Sequence, residues 1–431
     1  MKRILVLAYA ISPTRGSEYS VAWNYVTNMS KDNELIVLYG MSGNHMGDIL
    51  ELNLYIKDNP IQNVRFIAIH PNKIAQYLNI FNRNGIFVYT FYFAYNIWHR
   101  QAFTKAKELI NQEHFDLIHY LGPIGYREPG YLWKINLPYI WGPIGGTTNV
   151  SCKLIKVLPL KGQLKLGFRA LINTLQLHFN PRLKKAIQRA DVLLSATTEN
   201  QSIIKKVFST DSIYIPENGI IVDCKKRNSI KITNNLVKLI WIGSIDERKA
   251  LIILLKSLVK VNYLHLIQLH IVGDGPLKLE LQNFAILNNI DPFIVWHNHI
   301  PRSMVIRLIA DSHLNLVTSV SEGNPTTIWE AMSVGVPTIS LDHCGMHDTI
   351  CKKCGIKIKI ESYNQVIIDL ASTLDRLVKN HDEIENLSKG VYECAKQYNW
   401  LNRSYFFNNI YDLAIKNWIN KNQYIYDKGN Q

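Results

Sequence analysis

Two α/β domains in tandem, each a parallel sheet covered by helices on both faces, are what this sequence predicts. Three observations carry the reading. The chain has 431 residues, more than one hydrophobic core comfortably fills, so two domains of about 200 residues each are expected. Short apolar runs without polar alternation are separated by longer mixed segments, as in strands buried on both faces and joined by helices. The strand–helix cycle also restarts near residue 237, after the turn-forming stretch Pro216-Glu217-Asn218-Gly219.

Ile4–Ala10 reads as the first strand and Glu18–Met29 as the helix that follows it. Leu35–Leu38, Val64–Ile69, Leu117–His119, Tyr139–Trp141, Val192–Ser195 and Ile213–Ile215 continue the strands, and Ala102–Gln112 has a helical pattern. In the second half, Val237–Ile242 is an apolar strand running into Gly243, and Leu251–Val259 is helical. Leu266–Val272 is a strand that ends in the turn Gly273-Asp274-Gly275-Pro276. Phe293–Trp296, Leu314–Ser319 and Val336–Ser340 are strands, with helices at Pro301–Ala310 and Thr327–Ser333 between them. The expected domains are therefore 1–215 and 216–398. An aromatic terminal helix, about 399–431, is placed with the first. If the carboxyl ends of the two sheets face each other, the ligand site is the cleft between them.

Composition narrows the partners. Lys and Arg number 48 against 34 Asp and Glu, a formal charge of +14, which favours an anionic partner. Nucleic acid is not expected, because the basic residues are diffuse and no zinc-finger, RRM or KH pattern occurs. The run Ile4–Ile11 behind Lys2-Arg3 is too short for a secretory signal and lacks a cleavage site. Ile86–Trp98 is apolar and aromatic over 13 residues, short of the roughly 17–25 that span a bilayer. A soluble or peripherally attached protein is expected, with cytoplasm the simplest compartment for its six cysteines. Cys351 and Cys354 form a lone C-x-x-C with His343, Cys344 and His347 nearby. No four-ligand set is complete, and no metal site is assigned.

The strongest chemical signal is the string from Thr318 to Ser340. A strand ends, the loop Glu322-Gly323-Asn324-Pro325 follows, and Thr326-Thr327 opens a helix that carries Glu330 and stops before Gly335-Val336-Pro337. Unsatisfied N–H groups at a helix start can take a phosphate. Two carboxylates there suit two acceptor roles, one toward sugar hydroxyls and one toward the vicinal hydroxyls of a ribose. Arg248-Lys249, after the strand end at Gly243, is either a surface pair or a grip on a diphosphate. Gly273 permits close approach of a ligand or simply tight packing. Gly16 and Ser17, after the first strand, open a helix and form an anion-accepting loop. His119 ends another strand, Arg127 and Glu128 lie just beyond it, and Trp141-Gly142-Pro143 marks a backbone that comes close either to a ligand or to the sheet. The basic stretch from Lys153 to Arg189, with leucines interleaved, suits either an anionic membrane surface or solvent.

The string from Glu322 to Glu330 closely resembles the E-x7-E region of retaining glycosyltransferase family 4, of the bacterial group 1 type, which has the GT-B fold of two facing Rossmann-like domains. Asn218-Gly219-Ile220 and the Gly273-Asp274-Gly275-Pro276 turn also match. The resemblance implies a nucleoside-diphosphate-sugar donor and a hydroxyl acceptor, lipid-linked or saccharide. It implies no cofactor or metal, and no D-x-D motif stands out. By position it gives Glu322 the donor sugar, Glu330 the nucleotide ribose and Lys249 the diphosphate, with Arg248, Gly273, Gly323, Asn324, Pro325 and Thr326 lining the donor. Gly16 and Ser17 match the first glycine-rich loop. His119 matches the first histidine of an H-x-H pair whose second position is Leu121, and Ser244 stands where an arginine is usual. A sugar-nucleotide epimerase of similar architecture and a basic nucleic-acid-binding protein are the alternatives.

Overall fold

The computed structural model describes residues 1–16, 18–83, 90–155, 160–220, 232 and 235–429. The chain divides into two compact units. One comprises Met1–Thr148, Thr174–Asn218 and Trp400–Gln431, and the other Asn149–Asn173 and Gly219–Asn399.

The first unit is built on seven parallel strands: β1 (Arg3–Ala8), β2 (Glu34–Tyr39), β3 (Val64–Ala68), β4 (Leu117–Gly122), β5 (Tyr139–Ile144), β6 (Val192–Ser195) and β7 (Ile213–Tyr214). Their order is β3-β2-β1-β4-β5-β6-β7, and Leu5 pairs with Ile36 on one side and Ile118 on the other. Side chains alternate across a strand, so β1 feeds two apolar layers. Leu5 and Leu7 pack with Tyr95, Trp98, Ala102 and Ala106 of the helix Thr90–Gln112. Ile4, Val6 and Ala8 pack with Tyr25, Val26 and Met29 of Glu18–Met29 and with Phe407, Ile410 and Tyr411 of the terminal helix Trp400–Gly429. A strand covered on both faces has no polar side to show, which is why β1 reads as one apolar run.

The second unit is a Rossmann-like sheet of six parallel strands: β8 (Val237–Ile242), β9 (Ile267–Val272), β10 (Ile294–His297), β11 (Leu314–Val317), β12 (Thr338–Leu341) and β13 (Gly355–Ile358). The order is β10-β9-β8-β11-β12-β13. Residues 149–173 pack here rather than with the first unit, and Leu154 joins this unit's core. Both sheets reverse direction of strand addition once. The switch lies between β1 and β4 in the first and between β8 and β11 in the second, and ligands of such sheets bind beyond the strand ends at that point. Of the aromatic stretch Ile86–Trp98, residues 86–89 lie outside the described residues, and the rest belongs to the helix Thr90–Gln112, which packs in a cluster of Tyr9, Tyr95 and Trp98 rings. No described helix is long and apolar enough to cross a membrane.

Candidate functional site

The switch point of the second sheet is stitched together by backbone and side-chain hydrogen bonds. After β8 the chain passes Gly243 and turns at Asp246, whose Oδ1 accepts the Lys249 N–H at 2.8 Å. After β11, Val320 donates its N–H to the Arg248 carbonyl at 2.9 Å. The Thr318 hydroxyl donates to the Lys249 carbonyl at 3.0 Å and accepts from the Trp241 indole at 3.0 Å. The two loops are thus one rigid body, and their charged side chains have little choice of position.

Those charges meet. Glu322 Oε2 accepts from Lys249 Nζ at 2.6 Å and from Arg248 Nη1 at 2.7 Å. The Lys249 and Glu322 side chains are only 14% and 15% exposed, so their pairing is weakly screened compared with a surface bridge. Glycines set the spacing. A Cβ on Gly273, whose φ is +140°, would lie 1.9 Å from the Gly243 carbonyl oxygen. A Cβ on Gly345 would lie 1.7 Å from the carbonyl oxygen of Gly323. Gly345 belongs to the helix Cys344–Thr349 after β12, and His343 just before it donates from Nε2 to the Ser319 carbonyl at 2.8 Å. Together they press the Glu322 loop into place.

Asn324 is buried, and its Oδ1 accepts the Trp329 indole N–H at 2.5 Å. Its Nδ2 is buried with no partner among the described residues. Pro325 precedes the helix Thr326–Ser333, where no side chain caps the start; the Ile328 N–H donates to the Pro325 carbonyl at 3.1 Å, while no side chain caps the N–H groups of Thr326 and Thr327. On that helix Glu330 accepts from Arg302 Nε at 3.0 Å. Burial raises the Glu330 carboxyl above the ordinary glutamate range, and Arg302 pulls it back only in part.

The structure therefore gathers Arg248, Lys249 and Glu322 into one ion cluster, with Gly273, Gly323, Asn324, Pro325 and Thr326 on the strand ends and loops of the same sheet. Arg302 escaped the sequence reading. Its only signal was a basic residue opening the helix after β10. His343 and Gly345 escaped it too, because their role is to hold a loop some 20 residues away.

The remaining candidates lie in the first unit. Gly16 sits in open space after β1, and Ser17 lies outside the described residues. Nearby, Arg15 Nε donates to Glu51 at 2.8 Å. His119 has no exposed surface. Its Nε2 donates to the Gly142 carbonyl at 2.8 Å, and its Nδ1 therefore accepts from the Tyr25 hydroxyl at 2.9 Å. Burial lowers its pKa to about 4, against the pull of the Gly142 carbonyl, so it is neutral near pH 7. With both nitrogens engaged inside the core, this arrangement leaves none for a sugar. The close approach at Gly142 is to the sheet, since a Cβ there would lie 2.4 Å from the Leu194 carbonyl. Glu128 is buried and paired with Arg182 at 2.6 Å, which commits it to the scaffold.

Comparison with known proteins bears on the fold that carries these residues. Residues 223–393 match the family model described as glycosyl transferases group 1. Among solved structures, HepE of Anabaena, in complex with UDP and glucose, superimposes with a TM-score of 0.63 over 95% of this chain and 99% of its own at 13% identity. The lipopolysaccharide outer core galactosyltransferase WaaB, in its apo form, gives 0.61 over 94% and 98% at 16% identity. The chain has the GT-B fold, and its residues 223–393 are similar to the group 1 glycosyl transferases. By sequence, WcaL of Salmonella typhimurium, which carries the name of a colanic acid biosynthesis glycosyltransferase, is 21% identical over 269 residues, 60% of this chain and 65% of that protein. The lipopolysaccharide 1,6-galactosyltransferase of the same organism is 38% identical over 77 residues, 17% of this chain and 21% of its own. The chain thus spans less than two thirds of the length of either curated relative.

Proposed function

We propose that this protein is a retaining glycosyltransferase. It moves a sugar from a nucleoside-diphosphate-sugar to a hydroxyl on a lipid-linked or saccharide acceptor of the cell envelope. The observation that carries the proposal is the cluster at the β8–β11 switch point. Two cations and a carboxylate converge there within 2.7 Å, beside an uncapped helix start. A diphosphate is the ligand that such cations and free N–H groups fit.

Lys249, aided by Arg248 and the N–H groups after Pro325, stabilises the charge that grows on the departing diphosphate. Once phosphate oxygens take over the cations, Glu322 is released to accept from hydroxyls of the donor sugar. Glu330 accepts from the two ribose hydroxyls, held in place by Arg302. The leaving phosphate oxygen takes the proton of the incoming hydroxyl, so the retaining reaction needs no protein base. His119 acts in this scheme as a support for the Gly142 turn.

Envelope polysaccharide is supported by the names of the relatives, WcaL and the lipopolysaccharide galactosyltransferases. A place on the inner face of the cytoplasmic membrane is supported by the helix Leu160–Phe179, which exposes Leu164, Phe168, Leu171, Leu175 and Phe179.

The test is a binding and hydrolysis screen of the purified protein against UDP-, GDP- and ADP-sugars, with anomeric analysis of the product. One nucleotide class should bind and turn over with retention. An inverted product rejects the retaining assignment. An epimerised sugar with no transfer or hydrolysis rejects the transferase.

A further inference from the structure

A second cluster of reactive side chains lies in the same unit. The turn between the helix Cys344–Thr349 and β13 carries Cys351 and Cys354, and the helix His381–Gln397 carries Cys394. The three sulfur atoms lie within 4.8 Å of one another. Cys351 Sγ is 3.6 Å from Cys354 Sγ and 3.1 Å from Cys394 Sγ. We propose that Cys351, Cys354 and Cys394 together bind a thiophilic metal ion of the zinc class.

Three features of the geometry point that way. First, two separate segments deliver three thiols to one point. A disulfide would use two of them and leave the third idle, whereas a metal ion uses all. Second, the C-x-x-C turn is already shaped for the task. The N–H groups of Cys354 and Gly355 both donate to the Cys351 carbonyl, at 3.0 and 3.1 Å. The Cys351 N–H donates to Cys354 Sγ at 3.3 Å, which fixes that sulfur on the turn. Third, the turn is pressed onto its partner helix, since a Cβ on Gly390 would lie 1.8 Å from the Lys353 carbonyl oxygen. The third ligand is therefore held in register.

Sulfur-only ligation selects zinc or copper(I) over hard cations. On binding a zinc ion, each thiol gives its proton to the buffer as its sulfur forms a bond to the metal. Three thiolates on a dication leave one net negative charge, and the exposed Lys352 and Lys353 flank it. Cys354 and Cys394 are buried while Cys351 is exposed. The fourth position thus faces solvent and takes a water.

The cluster is placed to matter. Cys354 and Cys394 share one apolar cluster with Trp329 and Met332 of the helix that carries Glu330, and with Met346 and Val391. A bound ion would tie the turn to the helix His381–Gln397 and stiffen the floor under the Glu330 helix. Nothing in this depends on which sugar is transferred.

The experiment uses the full chain, stripped with chelator under reducing conditions and titrated with zinc. We expect about one zinc per chain by elemental analysis. The three thiols should be shielded from a thiol reagent, and the melting temperature should rise. Cys351→Ser, at an exposed position that the fold tolerates, and Cys394→Ser should each lose the stoichiometric zinc and the gain in melting temperature. Failure of the reduced protein to take up zinc overturns the proposal. So does zinc uptake that both variants retain. If the reduced protein takes no zinc and air oxidation links Cys351 to Cys394 in peptide mapping, the cluster is a redox pair instead.

Discussion

Glu322 holds the Lys249 ammonium at 2.6 Å, and the same carboxylate oxygen holds the Arg248 guanidinium at 2.7 Å. Without a donor, the carboxylate neutralises the cations proposed to take the diphosphate. Under the proposed function donor binding is an exchange, in which phosphate oxygens replace Glu322 and free it for the sugar. Glu322→Gln removes the competitor while keeping the shape. Binding of free nucleoside diphosphate should be unchanged or tighter by up to about 10-fold, while kcat falls by about 100-fold. Lys249→Ala should do the opposite to binding and weaken the nucleoside diphosphate by roughly 10- to 100-fold, the worth of one charge-assisted contact. Calorimetry and initial rates check both. Weaker nucleotide binding in Glu322→Gln would rule out the exchange.

Glu330 and Arg302 make a second pair, at 3.0 Å, with a different consequence. The ribose contact proposed for Glu330 needs the ionised carboxylate, which would accept two hydroxyl hydrogen bonds. Burial raises the Glu330 pKa, so the proton returns at a higher pH than for an ordinary glutamate. Nucleotide affinity should therefore fall as the solution is acidified, beginning above the ordinary glutamate range. Arg302→Ala removes the cation that opposes burial, so the loss should begin at a still higher pH. Glu330→Gln should bind nucleotide roughly 10-fold or more weakly at neutral pH and lose this pH dependence. Isothermal titration across the acid range distinguishes the three proteins. An unshifted profile in Arg302→Ala would remove Glu330 from the ribose.

Local patterns explain what could be read before any coordinates. The strands of both sheets are covered on two faces, so β1 and β8 announce themselves as apolar runs. The charged motif at Glu322–Glu330 falls on a strand–loop–helix, where spacing alone fixes which residues share a loop. Contacts that depend on topology were beyond reach. Residues 149–173 join the second unit, where Leu154 finds its core, and the basic stretch that begins at Lys153 does not say which sheet it packs on. Arg302 reaches Glu330 only because the helix after β10 lies beside the helix Thr326–Ser333. Cys394 meets Cys351 from a distant helix, while the nearer His343 and His347 are turned to Ser319 and Asp342. His119 looked like a strand-end ligand because sequence cannot tell a core imidazole from an exposed one.

That imidazole and His99, on the helix Thr90–Gln112, make acid stability measurable. Both are fully buried, and burial lowers His119 to about 4 and His99 to about 3. In the unfolded chain each titrates near 6.5. As pH falls below about 6.5, the unfolded chain takes up protons that the folded chain refuses, so stability is full above that pH. It is lost progressively as pH falls toward the folded values. For His119 alone the loss amounts to about 3 kcal/mol by pH 4. His119→Gln can still donate to Gly142 and accept from Tyr25. It should be less stable near pH 7 through imperfect packing, yet show a flatter decline between about pH 6.5 and 4. Denaturant melts at several pH values test this. Equal slopes in the two proteins would mean that His119 is charged in the fold.

The proposed membrane attachment rests on a face rather than on net charge. Leu164, Phe168, Leu171, Leu175 and Phe179 recur at steps of four, three, four and four, so they line one side of the helix Leu160–Phe179. Each is between 47% and 77% exposed, an arrangement water disfavours and a bilayer interface accepts. Basic residues do not contribute equally. Arg182 and Arg189 are paired with Glu128 and Asp191, whereas Arg169, Lys184 and Lys185 are exposed. Replacing Phe168 and Leu171 by Ser touches no core contact and removes roughly 2 kcal/mol of interfacial burial per residue. Co-sedimentation with anionic vesicles should drop by more than 10-fold in that double variant. Lys184→Glu with Lys185→Glu should weaken it less, and only at low salt. Donor binding should stay intact in both. If charge reversal abolished vesicle binding while the serine variant kept it, the basic patch and not the apolar face would be the anchor.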